Sequence, residues 1–179
     1  MWFFCPFNCA GEKGTIVTTD IYTKKILILG CGNTLLANDG FGPAVVEHLN
    51  RHHDLPERAL ALDAGTGIRD FMFDLLLMEE KPELVIVVDA VTVPNRSLGE
   101  VFEIDLTDVP REKLSDFSLH QSPSSNLLKE LKDGGNVDVR VIGMHTSAIP
   151  NVINPGLDPE VEAAVPVACE RIMDLLKNR

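Results

Sequence analysis

The run Leu84-Val85-Ile86-Val87-Val88-Asp89-Ala90 constrains this chain more than any other stretch. Unbroken Val and Ile without polar alternation suits a strand covered on both faces, which is the condition of a central strand in a parallel sheet. Parallel neighbours need crossover segments, and the chain supplies them. Lys25 to Gly30 reads as a strand, followed by the glycine-rich CGNTLLANDGFG and an apolar-periodic helix from about Phe41 to Arg51. Ala59 to Asp63 is a second strand, Ala64 to Gly67 a turn, and Ile68 to Glu79 a helix with Ile68, Phe71, Met72 and Leu75 on one face.

Further on, Leu98 to Ile104 ends in the alternating VFEI of another strand. Ser122-Pro123 forms a cap and first-turn signal for a helix reaching about Leu131. Val137 to Met144 is the fifth strand candidate, and Asp158-Pro159-Glu160 opens a C-terminal helix that Pro166 is expected to kink or divide near residue 165. The expected fold is α/β: three layers, α/β/α, around a mostly parallel sheet of about five strands. With 179 residues and 45% apolar composition, one domain over residues 25–179 is expected, preceded by an extension over 1–24.

Charge narrows the partners. A net charge of −11 forfeits the counterion release that drives nucleic-acid binding. Apolar runs such as Ile26 to Leu29 fall far short of the roughly 20 residues a membrane span needs. The N-terminal residues lack a basic leader and cleavage site, so the expectation is a cytoplasmic protein that binds neither nucleic acid nor membrane. Cys5, Cys9, Cys31 and Cys169 show no paired zinc spacing and read as reduced thiols.

In open parallel sheets, ligands bind beyond the carboxyl ends of strands. Asp39 follows the first strand, Asp63 ends the second, Asp89 ends the third, and His120 precedes the Ser122-Pro123 helix start. Two carboxylates and an imidazole suit a borderline divalent ion such as nickel or zinc, with positions left for water or substrate. Taken singly, each has a plainer reading as a helix cap, a strand end or a loop hydrogen-bonder. Gly30-Cys31-Gly32-Asn33 lacks the third glycine of a dinucleotide loop, since Leu35 stands there, and its glycines are expected to bring Asp39 beside the sheet edge. Ser118, Ser122, Ser124 and Ser125 fit no nucleophile elbow. His145 reads as a surface residue, and His48, His52 and His53 as solvent-facing.

ILILGCGNTLLANDGFGPAVVEHL, LDAGTG, LVIVVDA and SLHQ, in this order and spacing, together resemble the hydrogenase maturation endopeptidase family from about Lys25 to Leu176. The resemblance implies an endopeptidase that removes the C-terminal tail of a hydrogenase large-subunit precursor after nickel insertion. It implies Asp39, Asp89 and His120 as catalytic and metal-binding residues, and Asp63, Gly65 and Thr66 as substrate-binding ones. The nickel is expected to arrive with the substrate, zinc or cadmium being able to replace it in a crystal. Asn38 stands where family members often carry an acid. HQSPSSNLLKELK further resembles the members that serve the deazaflavin (coenzyme F420)-reducing hydrogenase. Two alternatives stay open at this point: a noncatalytic, metal-recognising hydrogenase assembly subunit, and a nucleotide-binding α/β enzyme.

Overall fold

A computed structural model describes residues 21, 23–104, 106, 124–147, 150 and 152–178. In chain order the elements are β1 (Ile26–Cys31), α1 (Phe41–His52), β2 (Ala59–Gly65), α2 (Ile68–Leu77), β3 (Leu84–Val91), β4 (Val101–Ile104), α3 (Ser124–Gly135), β5 (Asp138–His145) and α4 (Pro159–Lys177), with a 3-10 turn at Ala37–Gly40. The strands form one five-stranded sheet in the order β2-β1-β3-β5-β4. Four run parallel, and β4 joins β5 antiparallel at one edge.

Every residue of β1 and β3 is buried, as their unbroken apolar runs require. Strand alternation sends Ile26, Ile28, Ile86 and Val88 to one face, in the apolar cluster that holds Val45 and Leu49 of α1 and Ala168 and Ile172 of α4. Leu27, Leu29, Val85 and Val87 go to the other, with Met72 and Leu75 of α2 and Leu128 and Leu131 of α3. The expected three layers are present. No helix among the described residues is long and apolar enough to cross a membrane.

Several elements differ from the sequence reading. The fourth strand spans only Val101–Ile104 and α3 continues to Gly135, whereas Ser122 and Pro123 lie outside the described residues. Pro166 does not divide the last helix, which runs unbroken from Pro159 to Lys177. Pro166 and Glu162, whose carbonyl loses its i+4 donor, are both exposed, so the unpaired carbonyl is not shut away from solvent and the helix tolerates the proline. Ile21, ahead of the expected boundary at residue 24, is buried and belongs to the α2/α3-side cluster.

Candidate active site at the carboxyl edge of the sheet

The chain leaves β1 toward β2 on one side and later returns to place β3 on the other. The carboxyl ends of β1 and β3 therefore flank a topological switch point, where an open α/β sheet has its crevice. Close backbone packing builds this edge. A Cβ on Gly42 would stand 2.3 Å from the Cys31 carbonyl oxygen and 2.5 Å from that of Val88. A Cβ on Gly30 would meet the Gly42 carbonyl oxygen at 2.4 Å. Only glycine at both positions lets the first turn of α1 sit directly on β1 and β3.

Gly32, at φ +126°, passes so close to the 3-10 turn that a Cβ there would lie 1.8 Å from the Asp39 carbonyl oxygen. Asp39 is thereby held inside the protein, 0% exposed, with Oδ2 accepting the Asn33 N–H at 2.7 Å. The glycines thus seat Asp39 against the sheet, the role expected of them. Asp89, 7% exposed, ends the apolar run of β3. Oδ1 of each carboxylate is sealed from solvent.

Gly30 and Val88 are register partners, so Cys31 and Asp89 follow them one residue later on adjacent strands and share the α2/α3 face. The Cys31 thiol donates to the Leu29 carbonyl at 3.9 Å. Its pKa is held well above the usual thiol value, first by burial and then by the charges of Asp89, Asp63 and Asp39. The raised pKa keeps Cys31 protonated and unreactive at neutral pH. Asp39, Asp63 and Asp89 follow or end strands whose carboxyl ends lie at this one edge of the sheet.

Asp63 sits at the rim. Its Oδ1 accepts the Gly65 N–H at 2.8 Å, with Gly65 at φ +51°, and the Gly65 carbonyl accepts the Gly32 N–H at 3.0 Å. Partial desolvation pushes the Asp63 carboxyl up, opposed by the Gly65 N–H, although the residue still reaches water. Thr66 is exposed beside it. His120 lies outside the described residues.

Two groups that sequence reasoning set aside belong to this edge. His145 is not a surface residue: it is 9% exposed at the end of β5, and its Nδ1 accepts the Val93 N–H at 3.1 Å. The loop after β3 folds over it, which no local pattern announces. Asn38 is buried; its Nδ2 donates to Asp158 Oδ2 at 2.8 Å and to Thr146 Oγ1 at 3.3 Å, while its Oδ1 accepts the Asp158 N–H at 2.9 Å. The amide thus links the Asp39 turn to the end of β5 and to the cap of α4. An acid at position 38 would face the Asp158 carboxylate.

Fold and edge together define a three-layer α/β protein with two buried aspartates, Asp39 and Asp89, at or after the carboxyl ends of the strands that flank its switch point. Comparison with known proteins makes the class specific: residues 43–175 match the family model described as hydrogenase maturation protease. The chain belongs to the hydrogenase maturation protease family, whose members are hydrolases. It is 37% identical over 158 residues to the coenzyme F420 hydrogenase subunit delta of Methanothermobacter thermautotrophicus, covering 86% of this chain and 95% of that one. A putative hydrogenase maturation protease of Methanocaldococcus jannaschii is 36% identical over 157 residues, covering 87% and 98%. Among solved structures, the hydrogenase maturating endopeptidase HybD from Escherichia coli superposes with a TM-score of 0.68 at 28% identity, covering 86% of this chain and 93% of that one.

Proposed function

We propose that this protein is the endopeptidase that removes the C-terminal tail of a nickel-loaded large subunit of the coenzyme F420-reducing hydrogenase, and that it works in the cytoplasm. Family membership and the F420 hydrogenase relative support the target. The observation that carries the reading is the pair of sheltered carboxylates, Asp39 and Asp89, at the switch point. Buried to this degree, such oxygens attract a divalent cation far more strongly than surface acids do.

In this reading nickel belongs to the precursor, and the chain's part is to receive it. Asp39 and Asp89 offer oxygen, and His120 is the nitrogen ligand that the family resemblance assigns. Support for His120 comes from topology: α3 begins at Ser124, four positions later, and Gly135 at its other end packs on Lys81, just before β3 begins. The amino end of α3 therefore points to the carboxyl edge. Zinc or cadmium would fit the same mixed donor set in a crystal. Asp63, Gly65 and Thr66 form the exposed rim over which the tail would lie. The protonated Cys31 neither attacks the peptide bond nor competes for the ion. The catalytic domain is taken as 25–179, with 1–24 an extension whose Ile21 packs on the core.

Incubating purified precursor with and without nickel, followed by intact mass measurement, tests the reading. Loss of the tail only from the nickel-loaded form is expected. Equal cleavage of both folded forms points to a protease with its own zinc. Stable binding of the nickel-loaded precursor without cleavage points instead to the assembly-subunit alternative.

A further inference from the structure

A second group of metal-ligand side chains gathers at the other end of α1. His48 lies on α1, His53 is its C-cap, and Cys169 is in α4. One ligand atom from each, a ring nitrogen or the sulfur, falls within 4.8 Å of the others. The convergence is built by packing. Val45 and Leu49 of α1 are fully buried in the cluster shared with α4, which brings Cys169 Sγ to 3.6 Å from the Val45 carbonyl. The His53 N–H donates to the Leu49 carbonyl at 3.0 Å, closing the helix and fixing where its side chain departs. At 1.5 Å per residue His48 is about 10 Å along α1 from its amino end, and Cys169 packs in the α1/α4-side cluster whereas Asp89 faces the α2/α3 side of the sheet, so the group is separate from Asp39 and Asp89.

We propose that His48, His53 and Cys169 form a binding site for a thiophilic divalent cation of the zinc type. Two imidazoles and one thiolate are the donors such an ion selects, and three protein ligands leave one tetrahedral position. That position is left to water. His48 and His53 are only half-buried and give the ion a way in, whereas Cys169 is sealed beneath them. Imidazole ligates in its neutral form, and His48 is held toward that form by burial and by His52 and His53. The Cys169 thiol, pushed up to about 11 by burial, keeps its proton until the ion arrives. Binding exchanges the S–H bond for a metal–sulfur bond and releases one proton to solvent. The ion ties the last turn of α1 to α4, and so stabilises the fold without entering the chemistry at the opposite edge.

Cobalt(II), added to the full-length protein, is the probe, because a thiolate ligand gives it a charge-transfer absorption that carboxylates and imidazoles do not. The absorption is expected in the native protein, in Cys31→Ala, in Cys5→Ser/Cys9→Ser and in Asp39→Asn. It is expected to vanish in Cys169→Ala. His48→Gln and His53→Gln, on accessible side chains, should each weaken zinc binding by about 10-fold or more and cancel the rise in Tm that zinc gives the native protein. They decide the question if Cys169→Ala does not fold. Absorption that persists without Cys169, absorption lost with Cys5 and Cys9, no absorption at all, or unchanged zinc affinity in both histidine variants would overturn the site.

Discussion

Near the amino end of α1 the chain has oxygen donors: Asp39 just before the helix, and Asp89 and Asp63 toward the carboxyl ends of β3 and β2. At the carboxyl end of the same helix it gathers nitrogen and sulfur, from His48, His52, His53 and Cys169. The helix dipole accounts for part of this division, since its amino end favours carboxylates and its carboxyl end favours basic side chains such as imidazole. Backbone architecture accounts for the rest. The amino end rests on glycines and meets the open switch point, whereas the carboxyl end is wedged by apolar residues against α4. One helix thus has oxygen donors near its amino end and nitrogen and sulfur donors toward its carboxyl end.

The sharpest break in that comparison is Asp39→Asn. It removes one charge from the oxygen cluster while leaving an oxygen able to accept the Asn33 N–H. Processing of nickel-loaded precursor is expected to fall by more than about 100-fold, given that even outer-shell changes at metal sites cost 10- to 100-fold. Thermal unfolding should show Tm unchanged or raised, because the substitution removes a fully buried carboxylate and keeps its size. Retained processing would remove Asp39 from the proposed machinery.

Gly42→Ala attacks the seat of the helix. The new methyl would lie within 2.5 Å of two carbonyl oxygens, so α1 must lift from β1 and β3. A loss of about 2–3 kcal/mol in urea unfolding is expected, with processing impaired as well. Stability equal to the native protein would show that the edge is softer than its packing implies.

Asn38→Asp tests what the buried amide contributes. It places a carboxylate against Asp158 and removes the Nδ2 donation. At neutral pH the expected cost is about 1–3 kcal/mol, the scale of a hydrogen bond to a charged group. Like-charge proximity would raise the new carboxyl, so the deficit should shrink as pH falls and protonation restores a donor. A deficit independent of pH between about 7 and 4 would contradict the charge argument.

The smallest effect belongs to Asp63→Asn. A carboxyl raised in the folded state destabilises the fold above its folded pKa, and this penalty disappears as pH falls below the unfolded value. The variant should therefore have a slightly higher Tm than the native protein at neutral pH and the same Tm in acid. Its Oδ1 still accepts the Gly65 N–H. A lower Tm at neutral pH would mean that the charge itself holds the turn.

The architecture was legible because it is written locally. Unbroken Val and Ile in β3, glycines before α1 and the spacing of apolar residues in α2 each follow from the chain's own periodicity. The positions of Asp39, Asp63 and Asp89 could be named for the same reason, as they end or follow strands whose carboxyl ends share an edge. What remained hidden depends on contacts between distant segments. Pro166 looked like a helix break, since the sequence does not say that its neighbours face water. His145 looked superficial until the loop after β3 folded over it.

By itself, then, the sequence determined the α/β class, the central strand, the acidic edge and the family resemblance, all carried by short-range pattern. Tertiary structure alone decided that Asn38 meets Asp158 across 120 positions and that Cys169 meets the Val45 carbonyl across 124. It also decided that His145 Nδ1 meets the Val93 N–H across 52 positions. Such meetings are set by how helices pack on a sheet, which depends on side-chain volumes and crossing geometry throughout the core rather than on any window of neighbouring residues.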